Sequence, residues 1–170
     1  MADTPYRPAG NRHHVVIVGA GFGGLYTARG LARADVDVTL INRTNHHLFA
    51  PLLYQVATGL LSSGEIAVSV RQLTRSQDNL LVTRGDVQDI DTAAQVVKVA
   101  DAGEAYEVEY DSLVIAAGAG QSYFGNDHFA EFAPGLKTLD DAFEIRARIM
   151  DAFERAPVSY THLRAHETVL

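Results

Sequence analysis

His13-His14-Val15-Val16-Ile17-Val18 runs directly into Gly19-Ala20-Gly21-Phe22-Gly23-Gly24. The first six residues are rich in valine and isoleucine, the composition of a strand buried on both faces. After the glycines, Leu25, Ala28, Leu31 and Ala32 recur at helical spacing. A G-x-G-x-x-G pattern between a strand and a helix has a mechanical meaning. Gly19 permits the tight turn, Gly21 lets backbone approach a pyrophosphate, and Gly24 allows helix and sheet to pack closely. The helix N-terminus offers N–H groups and the positive end of its dipole to that anion. Ala20, Phe22 and Gly23 complete the candidate turn. A plain structural turn is the bland alternative.

The next strand, Val36 to Ile41, closes a strand–helix–strand unit near Asn42. An acid usually stands there, about 20 residues past the first glycine, to grip ribose hydroxyls. Asn42 can accept a ribose hydrogen bond through its amide oxygen, without the strength that charge lends a carboxylate. Arg43 either meets phosphate or adenine, or is a solvated surface residue.

Farther along, Asn42 to Gly59 reads as an irregular loop passing into a short apolar segment. Ser62 with Glu65 fits a capping box, and Ile66, Val70 and Leu73 then form one apolar helix face. Leu80 to Thr83 is a third parallel strand, and Val87 to Ile90 another short one. Gln95 to Ala100 and Ala105 to Tyr110 alternate around Asp101-Ala102-Gly103-Glu104, a hairpin signal that breaks the helix–strand rhythm. Leu113 to Ala117 is a further apolar strand ending in Gly118. Thr138 and Asp141 open a last helix with Leu139, Ala142, Phe143, Ile149, Met150 and Phe153 on one face.

The fold class is therefore α/β: a central parallel sheet with an inserted antiparallel hairpin, spanning 13–156. Residues 1–12 are expected to be a flexible N-terminus, and 157–170, which continue no pattern, a non-native tail appended from an adapter or fusion, with a native surface tail as the alternative. Of the 170 residues 47% are apolar and 21% charged, ordinary for a globular chain. The net charge of -7 speaks against a nucleic-acid partner. No run is long and apolar enough to span a membrane. The chain has no cysteine, which removes disulfides, cysteine-ligated metals and redox-active cysteine pairs from these residues. No metal site is expected. His46 and His47 are neighbours whose side chains should point apart, so both are read as structural or surface groups.

One dinucleotide motif does not say which dinucleotide binds. The hairpin, and the apolar strand running into the small residues Ala116, Ala117 and Gly118, favour FAD over NAD. Here the chain resembles the two-dinucleotide-binding, Rossmann-like flavoproteins, in which the strand before an Ala-x-Gly turn returns to the FAD pyrophosphate; Ala117 and Gly118 match. Gly85-Asp86-Val87 resembles the segment whose backbone meets adenine, although Val87 reads equally as strand core.

His46-His47-Leu48-Phe49-Ala50-Pro51-Leu52-Leu53-Tyr54-Gln55-Val56-Ala57-Thr58-Gly59 resembles type II NADH dehydrogenases of actinobacterial type. Ser122 to Asp127 and Gly135 to Ala142 are similar to the same family. The resemblance implies two Rossmann-type domains and a membrane-docking C-terminal region in the full protein. It implies that NADH reduces FAD and that the flavin reduces a quinone, with no side chain acting as nucleophile. It also implies that Pro51, Leu52 and Gln55 lie near flavin or quinone, whereas the residues alone allow plain core packing for Leu52 and Leu53. Family sequences often carry a longer polar residue where Ala50 stands. By this reading the chain is the N-terminal FAD-binding part of a cytoplasmic enzyme, peripheral on the inner face of the cell membrane. It is incomplete and inactive alone, and a homodimer is allowed. The alternatives are another FAD-dependent NAD(P)H oxidoreductase and a non-catalytic nucleotide-binding module.

Overall fold

The computed structural model describes residues 5–156. The expected tail at 157–170 and the first four residues lie outside the described residues. The described residues form two compact units, 5–48 with 67–119, and 49–66 with 120–156.

The first unit is built on a four-stranded parallel sheet. β1 (His13–Val18) pairs with β2 (Val36–Asn42), and α1 (Phe22–Gly30) connects them. Two three-residue strands, β3 (His46–Leu48) and β4 (Ala67–Ser69), pair antiparallel in a separate ribbon. β5 (Leu80–Arg84) lies beside β2, and β9 (Ser112–Ile115) beside β1, giving the order β5-β2-β1-β9. Between them in sequence, β6 (Asp86–Asp91), β7 (Val96–Asp101) and β8 (Glu104–Glu109) form an antiparallel sheet. The expected hairpin is thus joined by the strand at Val87, and the insertion has three strands rather than two.

That insertion does more than interrupt the rhythm. Side chains alternate along β1, so Val15 and Ile17 face one side with Ala28 of α1, Val38, Leu40 and Val70. Val16 faces the other with Ile41, Val97, Val99, Val108 and Tyr110. A helix covers one face of the parallel sheet and the three-stranded sheet covers the other. Both faces of β1 are consequently apolar, as a doubly covered strand requires. The β7–β8 turn has Ala102 at φ 50° and Gly103 at φ 89°, the two left-handed residues of a type I′ hairpin. Tyr6 adds a short parallel bridge to Val108 at the outer strand of this sheet.

One expectation is corrected. Ile66, Val70 and Leu73 do not share a continuous helix. A single turn, α3 (Ser63–Ile66), gives way to β4, and a second single turn, α4 (Val70–Leu73), follows. Ala67, Val68 and Ser69 take strand geometry because they pair with Leu48, His47 and His46. The β-branched Val68 suits that strand. The capping box at Ser62 is half made. The Glu65 carboxylate accepts from the Ser62 N–H at 2.7 Å and from the Ser62 hydroxyl at 2.9 Å. Those two bonds hold the Glu65 carboxyl below its ordinary pKa.

The second unit contains the 3₁₀ turn Ala50–Leu52, α2 (Leu53–Ala57), the 3₁₀ turn Asp127–Glu131 and α5 (Leu139–Arg155). Leu53 and Val56 of α2 and Ala142 of α5 are buried. α5 begins with the full capping box expected at Thr138 and Asp141.

Candidate functional site

β1, the glycine turn and α1 follow one another without an intervening residue to spare. Gly19 has φ 101°, a conformation that side-chain-bearing residues rarely adopt, and a Cβ there would overlap the Ala116 carbonyl oxygen. Its N–H is fastened to the Ile41 carbonyl at 2.8 Å. A Cβ on Gly24 would overlap the Gly19 carbonyl oxygen and press on the Ile17 side chain. Gly21, by contrast, has nothing within 4 Å of where a Cβ would stand. Space is therefore left open on the outer side of the turn and closed on the inner side.

Gly21 is also the N-cap of α1. No side chain caps it, and the first turn holds no acidic residue. An uncapped helix start beside an open glycine is electrostatically suited to an anion.

Five of the candidate residues meet around one cleft of about 160 Å³. It is lined by Val18, Gly19, Ile41, Asn42, Arg43, Gly85, Asp86, Val87 and Ala117. Strand ends of both sheets bring them together, since β2 ends at Asn42, β6 of the three-stranded sheet opens at Asp86, and Ala117 follows β9. Gly118 comes next, at φ 75°, where the chain turns after that strand. Arg43 is exposed and Val87 is half-buried against the core under the three-stranded sheet. A larger polar pocket of about 470 Å³ opens along the edge strand β5. It has no part of the glycine turn, and its arginines are engaged: Arg84 pairs with Asp101 at 2.8 Å, and Arg71 donates to the Val82 carbonyl at 3.3 Å.

The Asn42 amide is heavily used. Its oxygen accepts the Ala20 N–H at 2.9 Å, and its nitrogen donates to the Thr44 carbonyl at 2.8 Å. The oxygen keeps a second lone pair for a hydroxyl. His47, read from the sequence as structural or surface, is buried, and its Nδ1 lies 2.8 Å from the Ala20 carbonyl oxygen. The histidine pair gave no signal of this, because the contact joins residues 27 positions apart.

Pro51, Leu52 and Gln55 lie in the second unit. Pro51 is exposed, Leu52 and Gln55 are half-buried, and the Gln55 amide donates to the Tyr54 hydroxyl at 2.9 Å. Among the described residues no helix is long and apolar enough to cross a membrane.

The chain is 62% identical over 145 residues to the type II NADH:quinone oxidoreductase Ndh of Mycobacterium tuberculosis, covering 85% of this chain and 31% of that protein. NdhA of the same organism is 58% identical over 153 residues, covering 90% of this chain and 33% of that protein. The chain thus spans about a third of the length of the curated relatives it matches. Among solved structures, NDH2 of Plasmodium falciparum in complex with NADH aligns with a TM-score of 0.77 at 26% identity, covering 86% of this chain and 30% of that one. A sulfide:quinone oxidoreductase of Aquifex aeolicus aligns with a TM-score of 0.72 at 27% identity, covering 84% and 32%. The profile of the pyridine nucleotide-disulphide oxidoreductases matches residues 13–159, and with that match over the greater part of its length the chain belongs to the pyridine nucleotide-disulphide oxidoreductase family.

Proposed function

We propose that this chain is the FAD-binding part of a type II NADH:quinone oxidoreductase. The observation that carries the reading is the glycine turn, closed inside at Gly19 and Gly24 and open outside at Gly21, in a chain 62% identical to a mycobacterial enzyme of that name. The open face at Gly21 fits a diphosphate, which needs close backbone and no side chain in its way.

In this reading the α1 N-terminus receives the FAD pyrophosphate at Gly21, Phe22, Gly23 and Gly24. Asn42 offers its remaining lone pair to a ribose hydroxyl, and Arg43 stands at the adenosine end. Gly85 to Val87 bring backbone to the adenine, and Ala117 with Gly118 present a low wall of small residues to the diphosphate. Pro51, Leu52 and Gln55 are assigned to the flavin or quinone end. When bound, FAD supplies the acceptor for hydride from NADH and the donor of electrons to quinone. The protein's part is to bind and orient. The homodimer and the peripheral contact with the inner face of the cell membrane belong to the same proposal.

The family resemblance also reaches sulfide:quinone oxidoreductase by structure. Cysteine chemistry cannot come from these 170 residues, which contain none.

The test is the visible absorption spectrum of the purified chain after FAD addition and desalting. Retained flavin bands in the unsubstituted chain, lost in Gly21→Ala, are the expected result. A chain that stays colourless, also when extended to full length, overturns the reading. Since the 170 residues hold one glycine-rich dinucleotide turn, NADH oxidation by this chain is expected to equal the buffer blank.

A further inference from the structure

The peptide that carries the glycine turn is gripped from two sides. Ala20 sits between Gly19 and Gly21, and glycines leave a backbone free to wander. Its N–H donates to Asn42 Oδ1 at 2.9 Å, and its carbonyl oxygen lies 2.8 Å from His47 Nδ1. Asn42 ends β2, and His47 is the middle residue of β3. The His47 ring also meets Phe22, the first residue of α1, edge to face at 5.1 Å.

The chemistry of these contacts is restrictive. A carbonyl oxygen only accepts, so His47 Nδ1 must carry the proton. In a neutral ring this leaves Nε2 bare, the reverse of the tautomer that free histidine prefers in water. Asn42 must accept from Ala20 while donating to the Thr44 carbonyl, which a carboxylate cannot do. That accounts for an amide where related folds place an acid.

We infer that His47 is a positioning residue for dinucleotide binding: as the Nδ1–H tautomer it fixes the Ala20 carbonyl opposite Asn42, and so aims the Gly21–Gly24 backbone at the pyrophosphate. The inference rests on the reading of this turn as the FAD site. A turn already held in its receiving shape pays less ordering entropy on binding.

Three substitutions test it in the 170-residue chain. His47→Asn keeps a donor, because Nδ2 stands as many bonds from Cα as imidazole Nδ1 does. His47→Gln moves the donor one bond outward, to the place of Nε2. His47→Phe keeps an aromatic ring against Phe22 and removes the donor. FAD affinity, followed by flavin fluorescence, should fall about tenfold or more in His47→Phe and His47→Gln, the worth of one hydrogen bond of ordinary strength. It should be largely restored in His47→Asn. Nitrogen-15 spectra of the unsubstituted chain in alkaline buffer should show the ring proton on Nδ1. A neutral ring protonated on Nε2, or equal FAD affinity in the Phe and Asn variants, overturns the inference. If His47→Phe fails to fold, the tautomer and the Asn-against-Gln comparison still decide. A chain that binds no FAD, also when extended to full length, while keeping the Nδ1 proton and with Gly21–Gly24 amides exchanging faster in His47→Gln, upholds the clamp and sinks the FAD reading instead.

Discussion

Gly19, Gly21 and Gly24 are glycines for different reasons, and alanine separates them. Gly24→Ala forces a methyl group into the Gly19 carbonyl. We expect a loss of about 1–3 kcal/mol or more, the usual cost of overpacking, as a lower urea midpoint. Gly21→Ala adds a methyl group to open space at an ordinary extended φ of -68°. Its folding stability should change by no more than about 0.5 kcal/mol, while flavin retention is lost. Equal flavin retention in Gly21→Ala and the unsubstituted chain would contradict the placement of the pyrophosphate. His14 supplies a second prediction at this scale. It is buried in β1, with Nε2 2.8 Å from the Thr39 hydroxyl and an Nδ1 that makes no hydrogen bond. Burial lowers its pKa from 6.5, outweighing the upward pull of the Glu109 backbone and the Asp111 and Asp37 carboxylates; Arg7 adds to the lowering. The folded state thus disfavours the proton. This contribution to stability is complete above about pH 6.5 and is lost as pH falls through the lower folded value. His14→Gln, whose amide nitrogen can take the place of Nε2 beside Thr39, should flatten the pH dependence of the urea midpoint in that window.

Elements differ in how far local sequence carries them. α5 is announced by Thr138 and Asp141, and both halves of the box form: Asp141 N–H donates to Thr138 Oγ1 at 3.2 Å, and the Asp141 carboxylate accepts from Thr138 N–H at 2.8 Å. Bonds from the Lys137 and Thr138 backbone hold the Asp141 carboxyl below its ordinary pKa, so its share of the cap is present above about pH 3.8 and is lost as pH falls through the folded value. Thr138→Ala should destabilise the chain by about 1 kcal/mol in thermal or urea unfolding. At the β7–β8 turn, Ala102 occupies a left-handed position that asparagine tolerates better. Ala102→Asn should raise stability by about 0.5–1 kcal/mol; a lower midpoint would contradict the turn assignment. β3 and β4 show the other extreme. Each has three residues, they lie some 20 positions apart, and their pairing overrides a helical spacing at Ile66, Val70 and Leu73 that is correct as a pattern. Short-range periodicity contains no information about a partner that far away.

At the scale of the whole molecule, a ligand that binds only the folded chain stabilises it by mass action. FAD at a hundredfold its Kd should add about 2.7 kcal/mol to the unfolding free energy. NAD at the same concentration should add far less, and equal effects would favour a generic dinucleotide module. The α/β class, the parallel strands and the glycine turn were legible by themselves, because their causes are local: apolar runs, the conformational freedom of Gly19, and the steric need for Gly24. The surroundings of the glycine turn were only partly so. Asn42 and Arg43 could be placed at the end of β2 by counting, but Asn42 turned out to spend its amide on Ala20 and Thr44. Sequence by itself determined the four strands of the parallel sheet and the glycine turn between β1 and α1. Tertiary structure alone decided that a three-stranded sheet covers the second face of β1, that β3 and β4 break the expected helix, and that His47 reaches the Ala20 carbonyl. Each of these depends on contacts between residues distant in the chain, and such contacts form only when burial of apolar surface brings the segments together.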